Sequence, residues 1–182
     1  MKKILLLMLF LSVMWGCQKE KPVTPQYLSL ASIPVDVAKF VKTVDGDTLK
    51  VVYDNVTQNI RLIGIDTPES RFNAKAISDS KKLKQPVEKI VAQGIIASVY
   101  TKSLIKPNSM INIEFDKQKT DQYKRLLGYV FVNGKMLNAT IISDGYAYPM
   151  TIKPNVKYSK EFIVMYNQAV KEKKGLWNKT TK

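Results

Sequence analysis

The stretch RLIGIDTPES, residues 61–70, combines residue types that suit the hydrolysis of a phosphate ester. That reaction adds a nucleophile to an anionic phosphorus and builds further negative charge, which a hard divalent cation held by carboxylates can stabilise. Arg61 can donate two parallel hydrogen bonds to phosphate oxygens and stays charged at any working pH. Asp66 and Glu69 flank a proline and supply carboxylates. These three side chains can share one site only if a curved sheet brings them together.

Two further stretches carry concentrated polar side chains. VDGDTLKV places Asp45 and Asp47 at a turn between strands, and DQYKRLLGYV places Tyr123 and Arg125 just before a strand. Each feature also has an ordinary structural interpretation, because Asp and Gly are common turn residues and most arginines are surface ion-pair partners. The turn is not an EF-hand, because the twelfth position counted from Asp45 is Val56 rather than Glu.

The chain contains no histidine. This absence excludes a Ser-His-Asp triad and a histidine general base, and it argues against a catalytic zinc held by the protein. An enzyme with this composition would depend on carboxylates, arginines, lysines, tyrosines and a metal that prefers oxygen ligands. A carboxylate is then the leading candidate for activating water, and Glu69 is placed for that role just past the proline corner.

Length and charge indicate one basic domain. The 182 residues suffice for a single domain with a real core, and the net charge is +14. A strongly basic domain attracts polyanions such as nucleic acid or anionic lipid. The alternative is a merely solvated lysine-rich surface, which charge alone does not exclude.

The N-terminus, MKKILLLMLFLSVMWGC, has the layout of a secretory signal: two lysines, a short apolar run and a small residue before Cys17. The apolar run is too short to span a bilayer comfortably, which disfavours a retained anchor, and a buried helix is the other alternative. The ending MWGC resembles a bacterial lipobox, in which the cysteine is lipidated and becomes the first residue. A lipidated Cys17, rather than a buried thiol, leaves no cysteine for a disulfide.

This interpretation predicts the organisation of the whole chain. Removal of residues 1–16 as a lipoprotein signal peptide takes away two lysines and lowers the net charge to +12. Residues 17–34 contain three prolines and are predicted to be a tether, residues 35–178 the folded domain, and residues 179–182 a tail. Because Gln18 rather than Asp follows the cysteine, the lipoprotein sorting rule implies the outer membrane in a cell with two membranes.

The pattern along the domain predicts a small closed β-barrel dressed with three α-helices, an α+β fold. β-branched residues favour strands, and apolar residues at helical spacing favour helices. The predicted strands lie at residues 35–44, 47–53, 59–65, 110–115 and 125–137, and the predicted helices at 85–105, 136–143 and 159–173. The Lys/Ser-rich residues 71–84 are predicted to be a loop.

Four ordered segments together resemble the staphylococcal nuclease (thermonuclease) family: DGDT, RLIGIDTPES, IEFDKQKTDQYKRLLGYVFVNGKMLN and GLW. The resemblance runs from about residue 36 to 178. It implies a five-stranded oligonucleotide-binding (OB-fold-like) barrel with helices. It also implies a calcium-dependent endo/exonuclease that hydrolyses DNA and RNA and leaves 3′-phosphates. No protein partner is implied, and we expect a monomer.

The resemblance also assigns roles to residues around the metal. It implies that Asp47 and Asp66 are carboxylate ligands of Ca²⁺ and that the backbone carbonyl of Thr67 lies nearby. It implies that Glu69 orients or deprotonates the attacking water. The predicted loop at residues 71–84 departs from the lysine-rich loop of the family, which leaves the substrate preference open.

The remaining implied roles concern the substrate. Arg61 and Arg125 would bind the phosphate, and Tyr123 and Tyr148 would line the nucleotide pocket. The family usually has a lysine just before the first of these tyrosines, whereas this chain has Gln122. This departure bears on the contact with a terminal phosphate and not on the chemistry of cleavage.

Two other functions remain as alternatives. Some domains of the family keep the barrel without the catalytic residues and bind nucleic acid or protein. The presence of the two arginines and three carboxylates distinguishes this chain from them. A basic surface lipoprotein that contacts anionic lipid or polysaccharide is the other alternative.

The anchor is tested by detergent partitioning of the wild type against Cys17→Ser. We expect the wild type in the detergent phase and the variant in the aqueous phase, because only a lipidated cysteine adds enough apolar surface for membrane retention. Release of both proteins into the aqueous phase to the same extent would contradict the lipid anchor.

Overall fold

The computed structural model describes residues 36–178, so Cys17, the signal peptide, the tether and the tail lie outside the described residues. Within this range no helix has both the length and the apolar character needed to cross a bilayer. The elements in chain order are β1 Asp36–Asp45, β2 Thr48–Tyr53, β3 Val56–Leu62, β4 Gly64–Asp66, α1 Ala74–Leu83, α2 Val87–Ser103, β5 Met110–Glu114, β6 Leu126–Val132, β7 Lys135–Met136, α3 Leu137–Ser143, β8 Tyr148–Met150, α4 Ser159–Lys171 and a 3₁₀ turn at Gly175–Trp177.

Five strands close into a barrel, which confirms the predicted α+β fold. The sheet order is β3-β2-β1-β5-β6-β7, and a parallel pairing between β3 and β6 closes the ring of the first five strands. In that pairing Ile60, Arg61 and Leu62 lie opposite Leu126, Leu127 and Gly128. The short strands β4 and β8 form a separate antiparallel pair beside the barrel.

Alternating apolar side chains fill the barrel interior. Leu49 and Val51 of β2, Ile60 of β3 and Ile111 and Ile113 of β5 are fully buried. Burial of each such side chain stabilises the fold by about 1.5–3 kcal/mol. Helices α3 and α4 pack against each other and close the core beside β6 and β8.

The prediction of a loop at residues 71–84 is wrong, because most of this segment forms α1. The side chain of Asn73 caps this helix by accepting a hydrogen bond from the Ala76 amide at 2.9 Å, and Lys84 ends it in a left-handed conformation with φ 52°. Residues 36–178 therefore contain four α-helices rather than three. Only Ala76 of α1 is fully buried and the segment is polar overall, so it offers few of the apolar residues on which the sequence prediction relied.

The predicted strand at residues 59–65 is divided into β3 and β4. Gly64 has φ +83°, a conformation that favours glycine, and the chain turns at this point. The second part of the strand thereby leaves the barrel to pair with β8. This bend forms the corner on which the predicted site residues stand.

Asn138 of α3 lies in the core and stabilises the closing seam of the barrel, the place where β3 pairs with β6. The side chain is 0% exposed. It accepts a hydrogen bond from the Val130 amide at 3.0 Å and donates to the carbonyls of Ile63 at 2.8 Å and Gly128 at 3.4 Å. One side chain thus joins β6 to the bend after β3.

Replacing Asn138 by Leu is expected to lower the free energy of unfolding by about 2–4 kcal/mol. The leucine fills a similar volume but leaves the Val130 amide and the Ile63 carbonyl buried without their partner. Thr140→Ala is the matched control, because that hydroxyl bonds the carbonyl of Met136, the residue that precedes the same helix. The control should lose about 1 kcal/mol or less in urea unfolding. Equal losses for the two variants would show that Asn138 does not secure the seam.

Candidate active site

A cleft of about 560 Å³ lies beside the bend, next to the closing seam of the barrel. It brings together most of the residues singled out in the sequence. The polar lining includes Asp45, Asp47, Arg61, Asp66, Glu69, Lys75, Asp121, Gln122, Tyr123 and Arg125. The curved barrel places Arg61 of β3 beside three carboxylates, those of Asp47, Asp66 and Glu69, which are called the acidic corner below. Arg61, Asp66 and Glu69 thus share one site, as the sequence predicted for a curved sheet.

Arg61 is the most fully engaged side chain in the cleft. It donates to the carbonyls of Leu62 at 2.9 Å and Ile65 at 2.8 Å through Nη1. Through Nη2 it donates to Asp66 Oδ1 at 2.9 Å and lies 3.2 Å from Asp47 Oδ2. The two carbonyls belong to the bend, so Arg61 holds the bend and the two carboxylates in one arrangement.

Asp47 is buried and fixed by the residues around it. Its Oδ2 accepts hydrogen bonds from the Thr67 amide at 2.8 Å and the Thr67 hydroxyl at 3.0 Å, and its Oδ1 accepts from Thr48 at 3.1 Å. Gly46 lies so close to Thr67 that a Cβ at that position would overlap the threonine side chain. The Asp-Gly-Asp turn is thus a hairpin turn that also packs its second carboxylate against the corner.

Asp66 lies between two cationic side chains. Arg61 contacts Oδ1, and Lys75 Nζ of α1 lies 3.2 Å from Oδ2. Burial raises the pKa of the Asp66 carboxyl above its ordinary value and Asp47 adds to this increase, whereas Lys75 and Arg61 oppose it. The raised pKa thus reflects mainly the removal of this carboxylate from water, which disfavours its charged form.

Glu69 is held at the cleft by α1 and α2. Its Oε1 lies 3.3 Å from Lys75 Nζ, and its Oε2 accepts a hydrogen bond from Asn73 Nδ2 at 2.8 Å. Gly94 of α2 packs directly under the backbone of this residue, where any Cβ would overlap the Glu69 carbonyl. The close approach of α2 fixes the distance between Glu69 and the barrel.

Arg125 stands at the other side of the cleft, in the loop before β6. Asp121 holds it by accepting hydrogen bonds from its amide at 2.9 Å and from its Nε at 2.7 Å. Burial alone would raise the pKa of Asp121, but the hydrogen bonds from Arg125 lower it below its ordinary value. The guanidinium lies 5.5 Å from the ring of Tyr123, which is 71% exposed. Arg125 therefore forms an ion pair, which is the common structural role of an arginine, but its partner Asp121 also lines the cleft.

Tyr148 lies outside this cleft. It lines a neighbouring pocket of about 450 Å³, together with Thr67 and Tyr166. Its ring also packs edge-to-face against Trp177, with ring centroids 4.9 Å apart. Burial raises the pKa of Tyr148 to about 12. Asp66 lines both the cleft and the pocket, so Tyr148 adjoins the acidic corner from the other side.

Two residues that hold the site in place, Asp121 and Lys75, were not predicted from the sequence. Asp121 precedes Arg125 by four residues. This spacing allows an ion pair only if the backbone turns back between the two residues, which the sequence alone did not show. Lys75 contacts Asp66, Glu69 and Asp79, and nothing in the lysine-rich stretch distinguished it from its neighbours. Although burial lowers the pKa of Lys75, these carboxylates raise it above its ordinary value.

The donor chemistry of the acidic corner fits a hard cation. Asp47 and Asp66 converge, since both carboxylates lie within 3.2 Å of one nitrogen of Arg61. Among residues 36–178 no group of three or more His, Cys, Asp or Glu side chains is arranged to hold a metal ion. A site here would therefore use two carboxylates with backbone carbonyl and water oxygens, an all-oxygen set that suits Ca²⁺ and not Zn²⁺.

Fold and cleft define an OB-like barrel domain with an arginine-and-carboxylate site at the closing seam. The chain belongs to the staphylococcal nuclease homologue family, whose model matches residues 59–179. A thermonuclease of Staphylococcus hyicus is 35% identical over 140 residues, which cover 77% of this chain and 75% of that protein. The endonuclease YncB of Bacillus subtilis is 32% identical over 141 residues, which cover 76% of this chain and 60% of YncB.

A third relative, the SPbeta prophage-derived endonuclease YokF of Bacillus subtilis, is 34% identical over 140 residues. The matched region covers 76% of this chain but only 43% of that protein. The chain thus spans less than two thirds of the two Bacillus relatives and three quarters of the Staphylococcus one.

Proposed function

We propose that this protein is a calcium-dependent nuclease that hydrolyses phosphodiester bonds of DNA and RNA, internally and at ends, and leaves 3′-phosphates. The observation that carries the proposal is the cleft in which Arg61, Asp47, Asp66 and Glu69 face Arg125. Two positive guanidinium groups and three carboxylates around one space match a reaction that binds an anion and activates water. The names of the related thermonuclease and endonucleases agree with this chemistry.

In the proposed reaction both arginines bind the phosphate, although the present contacts of Arg61 leave only its Nε–H available for that purpose. Arg125 is positioned by Asp121 through its amide and Nε, and its two terminal nitrogens make no hydrogen bond within residues 36–178. A guanidinium held in this way presents a free fork of donors to phosphate oxygens. Arg61 has a second function, because its contacts with the bend fix the carboxylates around it.

Glu69 is the proposed general base. Water attacks phosphorus while Glu69 accepts the proton, and the bond to the 5′ oxygen breaks; that oxygen takes a proton from solvent. Asp47, Asp66 and the carbonyl of Thr67 would hold a calcium ion, which supplies positive charge beside the phosphate. Asn73 keeps one oxygen of Glu69 engaged and so limits the positions that the carboxylate can take.

The nucleoside would contact the exposed ring of Tyr123 in the cleft. Stacking of a base on an aromatic ring contributes about 1–3 kcal/mol to binding and tolerates any sequence. The contact proposed for Tyr148 would come from the neighbouring pocket. Gln122 lines the cleft beside Tyr123 in place of the usual lysine, so a terminal phosphate would meet a neutral amide there.

The cell envelope is the proposed location, with Cys17 as the lipid-anchored residue and the outer membrane as the site in a cell with two membranes. The support is the signal-like N-terminus with its lipobox-like ending. The barrel would then act on nucleic acid outside the cytoplasm as a monomer. The +12 charge of the processed chain favours encounter with polyanions.

Metal dependence is tested by measuring DNA and RNA cleavage after chelation and titration with single cations. We expect activity to disappear with chelator and to return with Ca²⁺, while Mg²⁺ restores it poorly because it is smaller and gives up water reluctantly. Asp47→Asn should remain inactive at calcium concentrations that saturate the wild type. Full activity in chelator, or a clear preference for Mg²⁺, would contradict the calcium assignment.

Arg125→Lys separates catalysis from binding. Lysine keeps the charge but loses the planar pair of donors, so we expect kcat to fall roughly 10²- to 10³-fold, by analogy with the loss of one pre-organised transition-state donor. The Kd of a nucleotide inhibitor should change much less. Arg71→Lys is the matched control, since Arg71 is exposed and does not line the cleft.

The control should keep its kcat within twofold of the wild type. If Arg125→Lys cleaves DNA within tenfold of the wild type while its fold is intact, Arg125 is not part of the catalytic site. A protein that binds DNA in the presence of calcium without cleaving it would instead support the alternative of a non-catalytic nucleic-acid-binding module.

A further inference from the structure

Lys75 is a cationic side chain placed among the carboxylates of the cleft. Its Nζ lies 3.2 Å from Asp66 Oδ2, 3.3 Å from Glu69 Oε1 and 3.1 Å from Asp79 Oδ2. The first two partners belong to the corner after β4, and the third belongs to its own helix, α1. Lys75 therefore links α1 to the two acidic residues that the proposed reaction needs.

Together with Arg61, Lys75 leaves Asp66 without an unoccupied oxygen. Arg61 takes Oδ1 and Lys75 takes Oδ2. A divalent cation that binds Asp66 must share or displace one of these contacts. Like charges at such short range repel strongly in a cleft that is partly shielded from water. Displacement of one of the two cationic side chains relieves this repulsion when a divalent cation arrives.

The structure indicates which of the two moves. The Arg61 side chain is 13% exposed and is held by two backbone carbonyls as well as two carboxylates. The Lys75 side chain is 38% exposed, has a flexible stem and makes no bond to the backbone of the corner. It also has Asp79 one helical turn away as a partner that lies outside the acidic corner.

We propose that Lys75 is an internal counter-ion that competes with the divalent cation for Asp66 and Glu69 and withdraws to Asp79 when the cation binds. This inference rests on the proposed function of the same cleft. Withdrawal has two effects, since it frees Oδ2 of Asp66 for the metal and frees Glu69 for water. Cation binding and release of the general base are thereby coupled through one lysine.

The charge balance of the corner determines the expected sign of the effect. The carboxylates of Asp47, Asp66 and Glu69 face the positive charges of Arg61 and Lys75, which leaves one net negative charge. Without the lysine the same corner carries two net negative charges, which matches a divalent cation. The wild type therefore binds calcium more weakly than its carboxylates alone would allow.

The test is calorimetric titration of CaCl₂ into the purified full chain, with no substrate present. For Lys75→Met we expect the calcium Kd to fall roughly tenfold, because a half-exposed ion pair no longer competes. Lys81→Met is the matched control, since it makes the same charge change at an exposed position of α1. The control should bind calcium with a Kd within twofold of the wild type.

Asp79→Asn tests the withdrawal itself. Without its alternative partner, Lys75 should hold Asp66 and Glu69 more firmly, so the calcium Kd should rise about threefold or more in the wild-type background. In the Lys75→Met background the same substitution should change the Kd much less, and the difference measures the coupling. Equal effects in both backgrounds would contradict the withdrawal to Asp79.

The other outcomes separate this inference from the proposed function. Calcium binding by the wild type with no gain in Lys75→Met would overturn the competition alone. Absence of calcium binding in both proteins would overturn the calcium site, and the competition with it. Binding by Lys75→Met but not by the wild type would support the competition in its strongest form.

Discussion

The arrangement of the cleft depends on one nearly buried guanidinium. Arg61 joins the carbonyls of Leu62 and Ile65, which shape the bend, to the carboxylates of Asp66 and Asp47. The donors of a guanidinium lie in one plane at fixed angles, so partners that satisfy several of them must adopt a fixed arrangement. The bend and the acidic pair are therefore positioned by the same side chain, and neither can shift without disturbing the other.

This arrangement leaves the cleft electrically unbalanced. Removal of one partner from a buried ion pair is costly because the remaining charge stays desolvated. Arg61 carries one positive charge and alone does not neutralise the two carboxylates of Asp47 and Asp66. Such imbalance is typical of sites that bind a charged ligand. Lys75 reduces it from α1, a helix whose packing contributes little to the core.

The barrel was predictable from the sequence because its strands are short runs of β-branched residues separated by turn signals. The α1 helix was not, because it has a single fully buried residue and an asparagine cap that does not distinguish a helix from a loop. The corner residues Asp66 and Glu69 were predictable from their spacing around a proline. The contacts of Lys75 were not predictable, because they depend on which face of α1 is turned toward Asp66 and Glu69. The position of Tyr148 was not predictable either, because it depends on the pairing of β4 with β8.

The two halves of the cleft meet only because the barrel closes. Arg61 lies opposite Leu127 in the parallel pairing of β3 with β6, so Arg125 enters the cleft two residues before that partner. A slip of one residue in this pairing would move Arg125 by about 3.3 Å and turn every following side chain to the other face of the strand. Asn138 binds both sides of the seam from the core and opposes such a slip. The spacing of the two arginines is therefore a property of the barrel register, and core packing and phosphate binding are constrained by the same strand pairing.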